Sequence, residues 1–308
     1  KNYPVVTGRK LRVAVVGCGR ISKNHFESIG QHGEDFELNA VCDIDQATVT
    51  AASDEYGVRG YTDLKKLLEK ETLDLVVLCT PSGLHSEQTC LVAQHGVNVI
   101  SEKPMATRYE DGVAMVKCCD DAGVRLFVVK QNRNNATLKL LKRAVQEKRF
   151  GQIKMVHLNV FWTRPQDYYD HGNGWRGTWE FDGGALMNQA SHYVDLLDWL
   201  VGPVDAVCAT MGNRLNNLEA EDTLVAAIEL ENGGLATLEL TTAARPKDIE
   251  RGLPVSIKTL VGRIENVRFA SPTPLSRSRG WASMKMQLIP TIQGTSRLRL
   301  FSTDPDPK

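Results

Sequence analysis

Two residues of this chain have the type and setting to move a proton. Lys103 stands directly before Pro104, just past the short apolar run from Val97 to Ile100. A lysine held at a strand end beside a proline peptide can hydrogen-bond a reacting hydroxyl. His192 lies in the segment Gly183-Gly-Ala-Leu-Met-Asn-Gln-Ala-Ser-His-Tyr-Val-Asp195. Read as one helix over 185–200, that segment puts Met187, Ala190, Val194, Leu197 and Val201 on a core stripe. Asn188, His192 and Asp195 then share the opposite face at i, i+4 and i+7, where Asp195 is able to orient the imidazole. A histidine near its ordinary pKa suits general-base work at neutral pH. The bland alternatives are a surface lysine before a turn and a structural histidine.

The elements that must position these groups begin at Leu11. The run Leu11-Arg-Val-Ala-Val-Val16 predicts a buried strand, followed at once by Gly17 and Gly19 and by a helix from about Ile21. Strand, glycine turn and helix in that order form the context of a dinucleotide fingerprint. Gly17 makes the tight turn. Gly19 admits backbone close to a pyrophosphate, which the helix N-terminus beside Arg20 and Ile21 attracts. The third motif position holds Ser22 in place of glycine. A second strand, Phe36 to Cys42, ends at Asp43, where an acid is expected to bind the adenosine ribose hydroxyls. A carboxylate there repels a 2′-phosphate, which favours NAD over NADP. Asp43 also reads as a turn or helix-cap residue, with Asp45 as its competitor for the ribose.

The first half continues as helix and strand in alternation. Helices are expected over 46–56, 63–70 with Thr62 as cap, 86–95 and 110–121. Strands are expected over 73–79, 97–100 and 124–129. This order predicts right-handed crossovers and an α/β fold with a Rossmann-type, doubly wound parallel sheet. Ligands of such sheets bind beyond the carboxyl ends of the strands. Thr80-Pro-Ser-Gly-Leu-His85 and Ser101-Glu-Lys-Pro104 sit at two such ends. Thr80, Pro81, His85, Glu102 and Lys103 are therefore expected at the nicotinamide half of the cofactor. The second half, from Gln131, reads as an α+β domain. It has a helix over 136–148 and strands over 153–161, 204–211, 223–230 and 235–241, forming an open mixed or antiparallel sheet. Glu231-Asn-Gly-Gly234 is a hairpin turn signal.

Composition narrows the class. The 308 residues carry 37 Lys plus Arg and 37 Asp plus Glu, so no basic surplus points to nucleic acid. No apolar run approaches a membrane span, and the first residues lack the core of a signal peptide, so a cytoplasmic protein is expected. Seven cysteines without a CxxC spacing suit a reducing compartment and no metal site.

The motifs GCGRIS, CTPSGLH and SEKP, with the later Gly183–Asp195 segment, resemble the glucose–fructose oxidoreductase, inositol dehydrogenase and MocA family. The resemblance implies an NAD(P)-dependent sugar or polyol oxidoreductase whose second domain often serves oligomerisation. It places the family's catalytic lysine on Lys103 and its catalytic histidine on His192. Many members carry Asp where this chain has Asn188. Lys130-Gln-Asn-Arg133, Tyr168-Tyr169, Gly174-Trp-Arg-Gly-Thr-Trp179 and Asn188-Gln-Ala-Ser-His192 sharpen the resemblance, toward UDP-N-acetylglucosaminuronate 3-dehydrogenases of the WlbA type. This implies oxidation of a UDP-sugar at C3 in lipopolysaccharide sugar biosynthesis, by a dimer or tetramer, with 2-oxoglutarate as a reoxidant in some relatives. On that reading Gln131, Arg133, Tyr168, Trp175, Arg176, Asn188 and Ser191 join Lys103 and His192 at the substrate. Arg133 could equally serve a salt bridge, and Trp175 and Tyr168 could be packing residues. The alternatives are another sugar or inositol dehydrogenase of the family, or a catalytically silent dinucleotide sensor or scaffold.

Residues 251–308 depart from the pattern, with seven Arg, seven Ser and six Pro against three acids. They read either as a divergent, loop-rich end of the second sheet or as an aberrant tail. Asp43 yields the first test. Titration with both dinucleotides is expected to show tighter binding of NAD(H) than of NADP(H). Equal or tighter NADP(H) binding removes Asp43 from the ribose.

Overall fold

Strand β1 (Leu11–Val16) has four consecutive buried residues, Val13 to Val16, because both its faces are covered. Val13 and Val15 join one apolar cluster with Phe26, Val41 and Val77. Ala14 and Val16 join another, with Leu67, Val76, Leu78 and Val92. In the computed structural model, which describes residues 6–171 and 174–245, this strand is central to the first of two units. That unit comprises the chain to Gln131 and also residues 170–191. Residues 132–169 and the chain from His192 form the second. The single cut expected after residue 130 thus lacks a return of the chain at Asp170 that ends at Ser191.

In the first unit, α1 (Ser22–Gln31), β2 (Phe36–Cys42), α2 (Gln46–Tyr56), β3 (Arg59–Tyr61), α3 (Leu64–Lys70) and β4 (Leu75–Leu78) follow β1. Then come α4 (His85–Gln94), β5 (Asn98–Ser101), α5 (Tyr109–Ala122) and β6 (Leu126–Val128). The sheet order is β3-β2-β1-β4-β5-β6, with every pair parallel. Strand order reverses between β1 and β4, the place where open parallel sheets leave a crevice beyond their carboxyl ends. The three-residue β3 was not expected, since Arg59-Gly-Tyr61 has no apolar run to mark it. Asp63 caps α3, accepting from the N–H groups of Lys65 and Lys66, in place of the expected Thr62. Cys90 and Cys118 are joined as a disulfide between α4 and α5, a pairing the cysteine spacing did not suggest.

In the second unit, α6 (Ala136–Gln146) precedes β7 (Met155–Phe161) and α7 (Gln166–Asp170). The segment expected as one helix over 185–200 is two, α8 (Gly184–Asn188) and α9 (Ser191–Val201), with α8 in the first unit. The Ala185 carbonyl accepts from both the Gln189 and the Ala190 N–H groups. This widened turn ends the regular ladder, so one apolar face does not run through both pieces. The buried stripe of α9 is Tyr193, Leu196, Leu197 and Leu200, while Val194 is exposed. The chain then forms β8 (Val204–Gly212), β9 (Thr223–Leu230) and β10 (Leu235–Thr241). The sheet order is β7-β10-β9-β8, with β7 and β10 parallel and the other pairs antiparallel, so the sheet is mixed. The expected hairpin turn joins β9 to β10, with Gly233 at φ 78° and its N–H donating to the Leu230 carbonyl. Alternate residues of β7, β9 and β10 are buried, as a sheet covered on one face requires. Residues 251–308 lie outside the described residues. Among the described residues, no helix is long and apolar enough to cross a membrane.

The returning segment docks on the strand-end loops of its own unit through a glycine. The Gly83 N–H donates to the Phe181 carbonyl at 3.2 Å, and the Thr107 hydroxyl donates to the Glu180 carbonyl at 3.1 Å. A Cβ on Gly83 would lie 2.1 Å from the Glu180 carbonyl oxygen, so one backbone must shift to admit it. Gly83→Ala is expected to destabilise the first unit by about 1–3 kcal/mol, the usual range for overpacking. Thermal and denaturant unfolding measure it, and wild-type stability in the variant would falsify the docking role.

Candidate active site

The glycine loop is held from three sides. Gly17 sits at φ 87°, and a Cβ there would lie 2.7 Å from the Cys79 carbonyl carbon, so only glycine lets β1 end against β4. A Cβ on Gly19 meets nothing within 4 Å, which leaves its backbone open to a ligand. The Ser22 hydroxyl, fully buried, donates to the Gly19 carbonyl at 2.6 Å and so ties helix to loop, a contact that a glycine in the third motif position lacks. Ile21, at the N-cap of α1, supplies no side-chain cap; its main-chain carbonyl accepts from the Asn24 N–H at 3.1 Å, and the Ser22 and Lys23 N–H groups get no oxygen from it. Arg20 and Ile21 are exposed beside them.

Asp43 lies at the end of β2, and its carboxylate accepts from the Cys18 N–H at 2.8 Å and the Asp45 N–H at 3.0 Å. It therefore positions the glycine loop, and a carboxylate so bound keeps lone pairs for ribose hydroxyls. Asp45 is the cap of α2, accepting from the Thr48 N–H at 2.8 Å. These groups fit an NAD adenosine–pyrophosphate half: an open glycine, uncapped helix N–H groups and an acid at the ends of adjacent strands.

The second cluster lies past β4 and β5. Pro81, half-buried, leads into the short 3-10 turn Ser82–Leu84. The Thr80 hydroxyl donates to the Gln88 side-chain oxygen at 2.6 Å. His85 has no exposed surface, and its ring nitrogens lie 2.9 Å from the Pro104 carbonyl and 3.1 Å from the Thr80 carbonyl. It is buried between the two strand-end loops, where the neutral ring has one N–H and donates it to one of the two carbonyls, and neither nitrogen faces a cofactor, which corrects its expected role. Glu102 is buried, with one oxygen 2.8 Å from His25 Nε2 and the other accepting the Lys103 N–H at 3.1 Å. Burial pushes its carboxyl up, but the bonds from His25 and from Lys103 outweigh this and hold it below the ordinary range. His25 had no place in the sequence reading, because a lone polar residue on α1 carries no motif.

The Lys103–Pro104 peptide is cis. The Lys103 ammonium donates to the Asn188 main-chain carbonyl at 3.0 Å and to its Oδ1 at 3.3 Å. Burial lowers the Lys103 pKa, and the carboxylates of Glu102 and Asp182 work against that shift. Asp182, which the sequence reading also missed, is 1% exposed. Its carboxylate accepts from the Gly177 N–H at 2.8 Å and from the Asn188 amide. The Ser191 hydroxyl points at the Asn188 carbonyl, 3.5 Å away. Lys103, Asn188 and Ser191 are thus brought together within the first unit. In the same unit the Arg176 guanidinium stacks on Trp175 at 4.9 Å and donates to the His171 carbonyl at 2.9 Å. Gln131 opens the 3-10 turn Gln131–Asn134.

The second unit carries the remaining candidates. His192 is 8% exposed on α9. The Asp195 carboxylate takes the Arg133 guanidinium in a bidentate pair at 2.8 and 2.7 Å, which makes the salt-bridge alternative for Arg133 a fact. Asp195 thus accepts from an arginine with both oxygens, a pairing the sequence reading lacked, and a carboxylate so bound keeps further lone pairs. Tyr168 lies under the Arg164 guanidinium at 5.6 Å and edge-on to Tyr169.

Burial lowers the pKa of His85 from 6.5 despite the carbonyls against its ring. Since the folded value lies below the unfolded one, stability is full above the unfolded value and falls as pH drops toward the folded one. Wild-type melting temperature is expected to fall between pH 7.5 and pH 5.5, values that bracket the ordinary histidine pKa of about 6.5. His85→Gln lowers the plateau and flattens that fall. Parallel pH slopes in the two proteins would sink this account of His85.

The chain matches family models over most of its length. The oxidoreductase family with an NAD-binding Rossmann fold, GFO/IDH/MocA, matches residues 11–130, and the GFO/IDH/MocA C-terminal domain matches residues 138–258. Among solved structures, the WlbA dehydrogenase from Bordetella pertussis, in complex with NADH and UDP-GlcNAcA, is 56% identical, with a TM-score of 0.76 over 78% of this chain and 73% of that one. The WlbA dehydrogenase from Chromobacterium violaceum, in complex with the same two molecules, is also 56% identical, with a TM-score of 0.78 over 79% and 70%. D-apiose dehydrogenase of Paraburkholderia graminis is 27% identical over 242 residues, and this chain spans 62% of its length. With an NAD-binding parallel sheet, a mixed second sheet and both domain models matched, the chain belongs to the GFO/IDH/MocA family of oxidoreductases.

Proposed function

We propose that this protein oxidises the C3 hydroxyl of UDP-N-acetylglucosaminuronate to a ketone, with NAD as the oxidant. The observation that carries this reading is the 56% identity to two dehydrogenases whose structures hold NADH and UDP-GlcNAcA. Gly17, Gly19, Arg20, Ile21 and Asp43 hold the adenosine–pyrophosphate half, and Thr80, Pro81 and Glu102 line the path toward Lys103. Bound NAD supplies the acceptor for the hydride that leaves C3. His192 takes the hydroxyl proton. Lys103 hydrogen-bonds the same oxygen and stabilises its developing charge, which a cation in a poorly solvated setting does well. Gln131, Tyr168, Trp175, Arg176, Asn188 and Ser191 are the further substrate contacts on this reading, and Arg133 positions Asp195.

The same reading makes the protein a cytoplasmic homo-oligomer of lipopolysaccharide sugar biosynthesis, with the NADH formed in each turnover reoxidised by 2-oxoglutarate. On this reading the second unit contributes Tyr168 and His192 to the substrate contacts and supplies the subunit interface.

Purified protein is expected to reduce NAD with the UDP-uronate and not with free sugars or inositols. Turnover of an inositol or free sugar in its place would assign a different dehydrogenase of the family. Dinucleotide binding with no turnover of any of them would indicate a sensor. Lys103→Ala and His192→Asn should each lower kcat by about 10²–10⁴-fold, the usual contribution of general acid–base groups, with little change in NAD affinity. Near wild-type turnover in His192→Asn would place the base elsewhere.

A further inference from the structure

We propose that Asp182 is a positioning residue for Lys103, acting through the side-chain amide of Asn188. The inference rests on the reading of Lys103 as the group that binds the reacting hydroxyl.

An ammonium has three donors and no acceptor, and an ionised carboxylate has acceptors only. Asn188 stands between one of each. Its Oδ1 lies 3.3 Å from the Lys103 ammonium, and its Nδ2 donates to the Asp182 carboxylate. Turning the amide over would set an NH2 against the ammonium and an oxygen against the carboxylate, two repulsive contacts. Asp182 thus fixes which end of the amide faces the lysine. Its own second oxygen is held by the Gly177 N–H at 2.8 Å, so the carboxylate cannot swing away without leaving that donor unmet. The ammonium meets two oxygens of one residue, the Asn188 main-chain carbonyl at 3.0 Å and Oδ1. One N–H is left to point at a substrate oxygen.

Charge leads to the same residue. The charged groups that act on Lys103 are Glu102, Asp182, Lys130 and Arg20. Burial, Lys130 and Arg20 all disfavour the ammonium. Of the two carboxylates that favour it, Glu102 is already bound to His25 and to the Lys103 backbone N–H. Asp182 is the one joined to the ammonium through a side chain. A buried carboxylate is costly to keep ionised, and burial does push Asp182 up. The Gly177 N–H, the Asn188 amide, Lys103 and Arg176 oppose that shift.

The test reads Lys103 directly. Its modification by an amine-reactive reagent, followed by mass spectrometry across a pH series, gives the apparent pKa in the full-length protein without substrate. Asp182→Asn is nearly isosteric and keeps an oxygen for the Gly177 N–H. It is expected to lower the Lys103 pKa by about one unit, a tenfold change in protonation equilibrium. The alkaline limb of the kcat profile should move down with it, with NAD affinity retained. The exchange variant Asp182→Asn/Asn188→Asp restores one carboxylate and one amide with every donor met. It is expected to return the Lys103 pKa to the wild-type value or above. A purely structural Asp182 would change melting temperature and leave the Lys103 titration where it was. That result overturns the proposal, and so does an exchange variant that folds yet keeps the lowered value. The titration needs no sugar, so failure of the UDP-uronate reading and failure of this one are separately visible.

Discussion

An ammonium group withdrawn from water costs several kcal/mol unless its N–H groups are met and a counter-charge is near. The first unit of this protein is organised around that constraint at Lys103. The parallel sheet brings the ends of β4 and β5 side by side, and His85 is buried between their loops with a carbonyl of each against its ring. Gly83 lets the returning segment close against them, which delivers Asn188 and its carbonyl to the lysine. None of these three contacts involves a reactive group. Each is needed because a strand end alone offers a lysine only solvent, and solvent would leave its pKa and its direction unspecified. The same division of labour holds at the other end of the crevice. There Asp43 supports the Cys18 N–H, and Ser22 supports the Gly19 carbonyl.

Much of this scaffold was legible because its strands are covered on both faces. Continuous apolar runs such as Leu11–Val16 and Leu75–Leu78, separated by helices with Asp caps and left-handed glycine ends, admit few other readings. What escaped notice had no apolar signal or a misleading one. Strand β3 pairs with β2 over Arg59-Gly-Tyr61, where only Tyr61 packs against the apolar core. The break between α8 and α9 hides inside a sequence that keeps a helical period, because a widened turn is a backbone event that leaves the apolar spacing intact. The error mattered, since the face drawn through Asn188, His192 and Asp195 joined residues of two separate helices.

The candidate site was legible where a motif concentrates the chemistry and obscure where a partner is distant. Lys103, Gly17, Gly19 and Asp43 announce themselves by position at strand ends. Asp182, His25 and the bond from Arg133 to Asp195 do not: His25 meets Glu102 across 77 residues and Arg133 meets Asp195 across 62, while Asp182, six residues from Asn188, reaches Lys103 only through that amide. Arg133 shows the difficulty well: an arginine near a sugar site and an arginine in a salt bridge look the same until the carboxylate is seen. His85 erred in the other direction. It sits in a motif beside the cofactor half, yet burial and two carbonyls make it a fastener.

The return of the chain at Asp170 bears on the order in which the protein is made. Synthesis delivers residues from the N-terminus, and units of a chain fold as they emerge. All six strands of the parallel sheet, through Val128, are available before residue 170 exists. During that interval the nascent sheet has its glycine loop and Asp43, while Lys103 lacks the carbonyl and amide of Asn188. A dinucleotide-shaped surface therefore precedes a tuned lysine in the life of each molecule. The corner that governs chemistry is closed only when a stretch encoded between two parts of the other unit has been threaded back. Any rearrangement of the gene that separates those parts leaves the sheet whole and the lysine in water.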